Sequence, residues 1–122
     1  MINMTKGIRG AISVEDNSPV AIKKATIELL ETIIEKNNID KELISHVIFT
    51  LTPDINAAFP AKFAREEMEF NEVAMLCFKE LDVPNAIKKC LRILLVLNCA
   101  EDFTPEHIYL KKAKALRPDI EQ

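Results

Sequence analysis

Arginine is rare in this chain, which otherwise relies on lysine for positive charge. Of the 16 lysines and arginines, only four are arginines, and Arg9 and Arg92 fall within apolar, strand-like runs. A planar guanidinium at such a place is suited to hold a carboxylate through two parallel hydrogen bonds. A salt bridge to one of the 19 aspartates and glutamates would account for either arginine alone. Together with Glu80 and Tyr109, the two instead predict a pocket for a small dianion that bears a hydroxyl.

Other kinds of chemistry have little support in the sequence. There is no glycine-rich phosphate loop, no nucleophile motif and no metal-ligand spacing. Both histidines, His46 and His107, lie in strand-like runs, where a structural role is the simpler interpretation. The three cysteines, an odd number without Cys-x-x-Cys spacing, are interpreted as reduced core residues. A hydrolase, a covalent mechanism and a zinc site are therefore not expected.

The length and net charge of the chain limit the classes of function that are expected. The 122 residues, 48% of them hydrophobic, predict one domain spanning 1–122 with a substantial core. The net charge of −3 argues against nucleic acid as a partner, because phosphate binding needs a basic face. No segment has the length and apolarity of a membrane span or the form of a signal peptide, which predicts a soluble, cytoplasmic protein.

The elements that must position these residues are predicted from local patterns. Ser18 as N-cap and Pro19 at the first helical position, followed by apolar residues at helical spacing, predict a long amphipathic helix over 18–36. A shorter helix is expected at 56–68, with Pro60 in its first turn. Strands are expected at 6–14, 45–52, 72–78 and 107–110. This order is typical of an α+β domain with one mixed sheet and its helices on one face.

The segment 86–98, which carries Arg92, is ambiguous. Ile87, Cys90, Leu91 and Leu94 fit a helical period, whereas the continuous apolar run at 93–97 fits a buried strand. Periodicity slightly favours a helix.

The first strand raises a further question, because both glycines of the chain, Gly7 and Gly10, flank Arg9. Glycine inside a strand is typical of a bulge or of a close approach by another group. We therefore expect these positions to keep side chains away from neighbouring backbone or from a ligand.

Five segments, taken in order, match the pattern of a known family. They read GIRGAISVEDNS, FTLTPDINAAFPAKFAR, LCFKELDVP, KKCLRILLVLN and HIYLKKAKALRPDI, and together they extend from Gly7 to Ile120. In these segments the chain resembles the monofunctional, trimeric α/β chorismate mutases rather than the all-helical type. The resemblance implies a homotrimeric pseudo-α/β-barrel, and it implies that the segment bearing Arg92 is a strand.

The resemblance also implies an activity. Members of the family convert chorismate to prephenate, a step towards phenylalanine and tyrosine, by a unimolecular Claisen rearrangement. The reaction needs no nucleophile, metal or cofactor. Such an enzyme selects the compact substrate conformer and stabilises the charge that builds on the breaking ether oxygen, for which a fixed cation in a dry site is suited.

By matching motif, the resemblance assigns roles to individual residues. Arg92 is expected to face the ether oxygen and one carboxylate, and Arg9 to bind the side-chain carboxylate with help from the Tyr109 hydroxyl. Glu80 and the backbone of Cys77 are expected to contact the ring hydroxyl. The remaining positions cover the substrate, three of them from the neighbouring subunit (Phe59, Lys62 and Arg65) and two from a C-terminal tail (Leu116 and Arg117).

The chain departs from the family pattern in two loops. Asn85 stands where a glycine usually follows the proline, and the loop EMEFNEV lacks a glycine often found there. Asparagine tolerates a left-handed backbone, so the turn at Asn85 is expected to survive. Two other functions remain open on the sequence: a non-catalytic trimer that binds a small carboxylate, and an imine/enamine deaminase on a similar trimer.

Overall fold

The computed structural model describes residues 2–119, and within them it contains five strands and two α-helices. In chain order these are β1 (Met4–Ser13), α1 (Pro19–Lys36), β2 (Ile44–Leu51), α2 (Pro60–Glu67), β3 (Ala74–Lys79), β4 (Cys90–Cys99) and β5 (Ile108–Leu110). Short 3-10 helices cover Lys41–Leu43 and Lys111–Leu116. The predicted α+β class is confirmed. Ile120, the last residue of the family-like segments, lies outside the described residues.

The five strands form one mixed sheet in the order β3-β2-β4-β1-β5. β4 lies in the middle and pairs antiparallel with β1 and β2, whereas the outer pairs β1–β5 and β2–β3 are parallel. In this register Arg92 of β4 lies opposite Ala11 on one side and Thr50 on the other. Tyr109 of β5 in turn pairs with Ala11. The sheet therefore brings together residues that are far apart in sequence.

α1 forms where the sequence predicted it. The Ser18 hydroxyl accepts a hydrogen bond from the N–H of Ala21 at 3.1 Å, and Pro19 occupies the first turn, where its missing N–H costs nothing. The helix ends at Asn37, whose side chain bonds to the backbone N–H and carbonyl of Glu106. Its apolar side is fully buried against the sheet through Ile22, Leu29, Leu30 and Ile33. None of the helices in residues 2–119 is long and apolar enough to cross a membrane.

Both helices cover the same face of the sheet. Phe63 and Ala64 of α2 join the core that α1 makes with the sheet, and Lys23 of α1 bonds to Glu67 of α2 at 2.9 Å. No α-helix covers the opposite face among the described residues, and only the short 3-10 helix Lys111–Leu116 packs on part of it, through Ala113 against Ala11 and Cys90. We call it the open face, and it exposes Leu76, Phe78 and Leu94 by 61%, 51% and 37%.

The ambiguous segment is resolved as a strand. Leu91, Ile93, Leu95 and Leu97 are buried and alternate with more exposed residues, so the period is two and the helical count was wrong. The strand begins only at Cys90, and the residues before it form turns. Asn85 in these turns has φ 67°, as predicted, and Glu69 in the glycine-less loop has φ 59°.

Other boundaries also differ from the sequence predictions. The helix expected at 56–68 begins at Pro60, because the Asn17 side chain accepts the N–H groups of Asn56 and Ala57, both at 2.9 Å, and holds them outside the helix.

The C-terminal part also differs from the sequence predictions. His107 precedes β5 instead of lying in it, and the 3-10 helix over Lys111–Leu116 was not predicted.

The two glycines avoid contacts on different faces of the sheet. A Cβ on Gly10 would lie 2.8 Å from Cδ1 of Ile33 and 3.1 Å from Cδ1 of Leu29, so this glycine lets α1 approach the sheet closely. A Cβ on Gly7 would meet Leu94 Cδ1 at 3.2 Å on the open face. Both glycines thus permit a close approach, but the tightest contacts are with side chains, of α1 at Gly10 and of Leu94 at Gly7, and not with the backbone or ligand that was expected.

We expect Gly10→Val to lower the free energy of unfolding by about 1–3 kcal/mol, the usual cost of adding bulk to a packed core. Ile33 and Leu29 are fully buried and have no room to turn away. Urea unfolding at fixed protein concentration measures the change. Gly7→Ala is the control, because Leu94 is partly exposed and is free to move. An unchanged free energy of unfolding for Gly10→Val would contradict this account of the glycine.

Candidate active site

The site is built around an ion pair on the open face. Arg92 points to this face from the central strand β4, and Glu80 directly follows the edge strand β3. Arg92 Nε lies 2.9 Å from Glu80 Oε2, and the side chains are 45% and 23% exposed. The pair is therefore fixed in position while part of the guanidinium remains accessible to a ligand.

Thr50 completes the support of this pair. Its hydroxyl donates a hydrogen bond to Glu80 Oε2 at 2.6 Å, so the same carboxylate oxygen accepts from both Thr50 and Arg92. Thr50 lies opposite Arg92 in the β2–β4 register. The sequence interpretation missed this residue. The only sign of it in the sequence was a polar side chain in an apolar strand. Local residue patterns do not predict the strand register that brings it to Glu80.

Arg9 and Tyr109 face the same space from β1 and β5. A cavity of about 330 Å³ is lined by Arg9, Thr50, Glu80, Arg92 and Tyr109, with Ile48, Ile93 and Leu94 among its apolar walls. The four residues that sequence reasoning singled out for one pocket are thus brought together. Glu80 and Arg92 also line a second cavity of about 590 Å³ on the side of residues 81–88.

The C-terminal segment lies next to Tyr109. Leu116 packs on a small cluster with Ala11, Cys90, Tyr109 and Ala113. Arg117 binds Asp119 through Nε at 3.1 Å and a terminal nitrogen at 2.9 Å. These bonds to Asp119 raise the pKa of Arg117, and a hydrogen bond with Tyr109 adds to the effect. The predicted tail residues therefore lie beside the cavity and contact one of its walls.

His107 has a structural contact at this edge of the site. Its Nδ1 accepts a hydrogen bond from the backbone N–H of Arg9 at 2.9 Å. Burial lowers the pKa of His107, and the positive charges of Arg9 and Arg117 lower it further. The neutral ring is therefore favoured, with Nδ1 as acceptor. The ring helps to hold the backbone of Arg9, as its structural interpretation predicted.

A hydrogen-bonded anchor fixes the start of β4. Thr52 donates to Asp54 Oδ1 at 2.6 Å, and Asp54 accepts the backbone N–H of Lys89 at 3.1 and 3.0 Å. The N–H of Cys90 donates to the Thr52 hydroxyl at 2.9 Å. Burial acts to raise the pKa of Asp54, but these bonds outweigh it and hold the pKa below its usual value. The Thr-Pro-Asp motif thus anchors the strand that carries Arg92.

Four predicted site residues lie away from the arginine cavity in this chain. Phe59, Lys62 and Arg65 belong to α2 or its N-cap, and Phe59 is 71% exposed. Cys77 lies on β3 beside Phe59, where both line a separate cavity of about 410 Å³. Burial raises the pKa of the Cys77 thiol, but Cys77 is only partly buried and packs against the core, whereas the sequence predicted a core residue. All three cysteines fall within the described residues and are free thiols.

The arrangement suits recognition of a doubly charged ligand. Two guanidinium groups from β1 and β4 supply positive charge at separate places, and Glu80 offers an acceptor for a hydroxyl. Among residues 2–119, no group of three or more histidine, cysteine, aspartate or glutamate side chains is placed to hold a metal ion.

Comparison with known proteins agrees with this geometry. A sequence model of the family described as chorismate mutase type I matches residues 5–120. A protein named chorismate mutase AroH from Thermus thermophilus is 42% identical over 123 aligned residues, covering 97% of this chain and 98% of the relative. One of the same name from Bacillus subtilis (strain 168) is 38% identical over 118 residues, covering 96% and 93%.

A solved structure shows the same fold. It is described as a chorismate mutase from Clostridium thermocellum, and it superposes with a TM-score of 0.86 at 40% sequence identity. The match covers 90% of this chain and 98% of that one.

Proposed function

This chain belongs to the type I chorismate mutase family, and from that membership we propose that it rearranges chorismate to prephenate in the cytoplasm. The proposal needs no metal or cofactor, since the reaction is a unimolecular rearrangement. In this proposal, residues 1–122 form one catalytic domain. The observation that carries it is the cavity in which Arg9, Glu80, Arg92 and Tyr109 meet.

Arg92 is proposed to stabilise the breaking bond. As the ether C–O bond lengthens, negative charge builds on its oxygen, and a guanidinium already in place stabilises that charge without reorganising. The bond from Arg92 Nε to Glu80 fixes the plane of the guanidinium. Because this bond uses Nε, the two terminal nitrogens remain available, and we assign them to the ether oxygen and one substrate carboxylate.

The other residues are proposed to select the compact conformer of the substrate. Arg9 binds the side-chain carboxylate, assisted by the Tyr109 hydroxyl. Glu80, together with the backbone of Cys77, accepts the ring hydroxyl. Holding both ends of the substrate brings the reacting carbons close, which lowers the entropic part of the barrier. Leu116 and Arg117, beside Tyr109, cover the ligand.

The complete site is proposed to require a homotrimer. The open face carries exposed Leu76, Phe78 and Leu94 around the arginine cavity, a patch of the kind found at subunit contacts. Phe59, Lys62 and Arg65 do not line that cavity within one chain. We assign them to the site of the neighbouring subunit, where they cover the ring side of the substrate.

Turnover and mass together test the proposal. Purified protein is expected to consume chorismate, followed spectroscopically, and to elute from a sizing column at the mass of three 13.8 kDa chains. Absence of chorismate loss in an intact trimer would refute the activity. Full activity in a clean monomer would leave the activity standing but contradict the shared site.

Thr50 is proposed as a positioning residue for Glu80. We expect Thr50→Val, which keeps the shape and removes the hydroxyl, to lower kcat about tenfold, since hydrogen bonds to charged groups contribute about 1.5–3 kcal/mol. KM should change less, because the substrate carboxylates are held by the arginines. Thr50→Ser keeps the hydroxyl and should restore kcat. Equal loss in Thr50→Val and Thr50→Ser would instead indicate a packing role.

A further inference from the structure

A further charged cavity, distinct from both cavities that Arg92 lines, lies at the end of the sheet. It has a volume of about 590 Å³ and forms where the end of β1, the residues before β4 and the 3-10 helix after β5 meet. Its charged lining consists of four lysines and one glutamate: Lys88, Lys89, Lys111, Lys112 and Glu15. We call it the lysine cavity. It has no lining residue in common with the cavity formed by Arg9, Arg92 and Tyr109, although Ile87 and Lys88 also line the larger cavity beside Glu80 and Arg92.

The charge of this cavity is opposite to that of the chain. Its lining residues sum to +3, whereas the whole sequence carries −3. Lys111 is partly balanced by Glu28 on α1, at 3.5 Å. Within residues 2–119, Lys89 and Lys112 have no carboxylate at salt-bridge distance. Four like charges brought together repel one another, so an anion among them would relieve that repulsion.

The backbone under the lysines is held firmly. Lys89 donates its N–H to Asp54, and its carbonyl accepts the N–H of Val14 at 2.7 Å. The N–H of Lys112 donates to the Ser13 hydroxyl at 3.2 Å. The backbone beneath the lysines is therefore fixed by hydrogen bonds, while the four lysine residues themselves are exposed.

Two of the lysines also occupy an unfavourable backbone conformation. Lys89 and Lys111 have φ 49° and 54°, in the left-handed region that favours glycine. Residues held in such conformations cluster at binding and functional sites. A glycine at either position would relieve the strain but would remove a positive charge from the cavity.

We propose that the lysine cavity binds a small organic phosphate that carries two or more negative charges. Lysine ammonium groups act as point charges and are common phosphate ligands, whereas this chain uses arginine in the cavity we assign to carboxylates. The volume exceeds that of a bare phosphate group, and Ile87 and Val14 offer apolar contacts to an organic part.

Calorimetric titration of the whole protein with phenyl phosphate and with pyrophosphate tests this proposal. Both are expected to bind saturably, to raise the melting temperature and to bind more tightly than sulfate. The double variant Lys89→Gln/Lys112→Gln should weaken binding at least about tenfold. Its kcat/KM for chorismate in phosphate-free buffer should remain at the wild-type value. Lys24→Gln/Lys36→Gln, with the same charge loss on α1, should bind as the wild type does.

Two results would overturn the proposal. One is binding that persists in the lysine-cavity variant and disappears in Arg92→Ala, which would place the phosphate in the arginine cavity. The other is a lysine-cavity variant that folds with an unchanged melting temperature but loses kcat/KM for chorismate without phosphate present. The lysines would then attract the substrate instead of holding a second ligand. Neither readout of phosphate binding depends on the proposed activity, so the two proposals can fail separately.

Discussion

Arg92→Ala is expected to lower kcat for chorismate by about 10² to 10³, the usual loss when one preorganised donor to developing charge is removed. Most of the loss should appear in kcat, because the proposed contact with the ether oxygen strengthens only in the transition state. A smaller rise in KM would report the lost carboxylate contact. Spectroscopic progress curves at several chorismate concentrations separate the two effects.

Arg92→Lys separates charge from geometry. Lysine keeps the positive charge, but it loses the planar group that bonds to Glu80 through Nε and presents its other nitrogens to the substrate. We therefore expect it to be nearly as slow as Arg92→Ala. Both variants should fold, because the Arg92 side chain is 45% exposed and Glu80 keeps its bond from Thr50. Near-normal turnover by a folded Arg92→Ala protein would refute the electrostatic mechanism.

Local patterns in the sequence were enough for the features that depend on neighbours in the chain. The Ser18 cap, Pro19 and the spacing of Ile22, Leu29 and Ile33 specify α1 almost to the residue. The positive φ of Asn85 was expected from the glycine that the family usually has at this place, because asparagine adopts that conformation more readily than most residues.

Features that depend on register were not accessible in this way. The sequence around Arg92 fits both a helical period and a strand period. It forms a strand because it lies buried between β1 and β2 in the sheet. The resemblance to a family, and not the residue pattern, gave that answer in advance. Thr50 was missed because its partner Glu80 is 30 residues away and meets it only through the β2–β3 pairing.

The proposed site residues fall into two groups because they lie on opposite faces of the sheet. Arg9, Glu80, Arg92 and Tyr109 meet because one sheet carries or adjoins all of them. Phe59, Lys62 and Arg65 lie on or beside α2, which packs on the other face of the sheet. For both groups to contact one substrate, the second group has to come from another copy of the chain. This requirement is open to a direct test.

Mixed trimers are expected to recover activity that neither parent has. Arg65→Ala and Arg92→Ala should each be strongly impaired, since each removes a cation that we assign to every site. When the two are co-expressed and assemble at random, half of the subunits supply Arg92 and half of their neighbours supply Arg65. About a quarter of the sites are then intact, and turnover should approach about a quarter of the wild-type value.

The matched control is a mixture of Arg9→Ala with Arg92→Ala. Both residues line one cavity in a single chain, so every site in this mixture lacks one of them and no recovery is expected. Recovery in the first mixture and not in the second would require Arg65 to act across the subunit boundary while Arg9 and Arg92 act together within one chain. No recovery in either mixture, with mixed trimers demonstrated by mass, would mean that Arg65 serves the site of its own chain. The assignment of α2 to the neighbouring site would then be wrong.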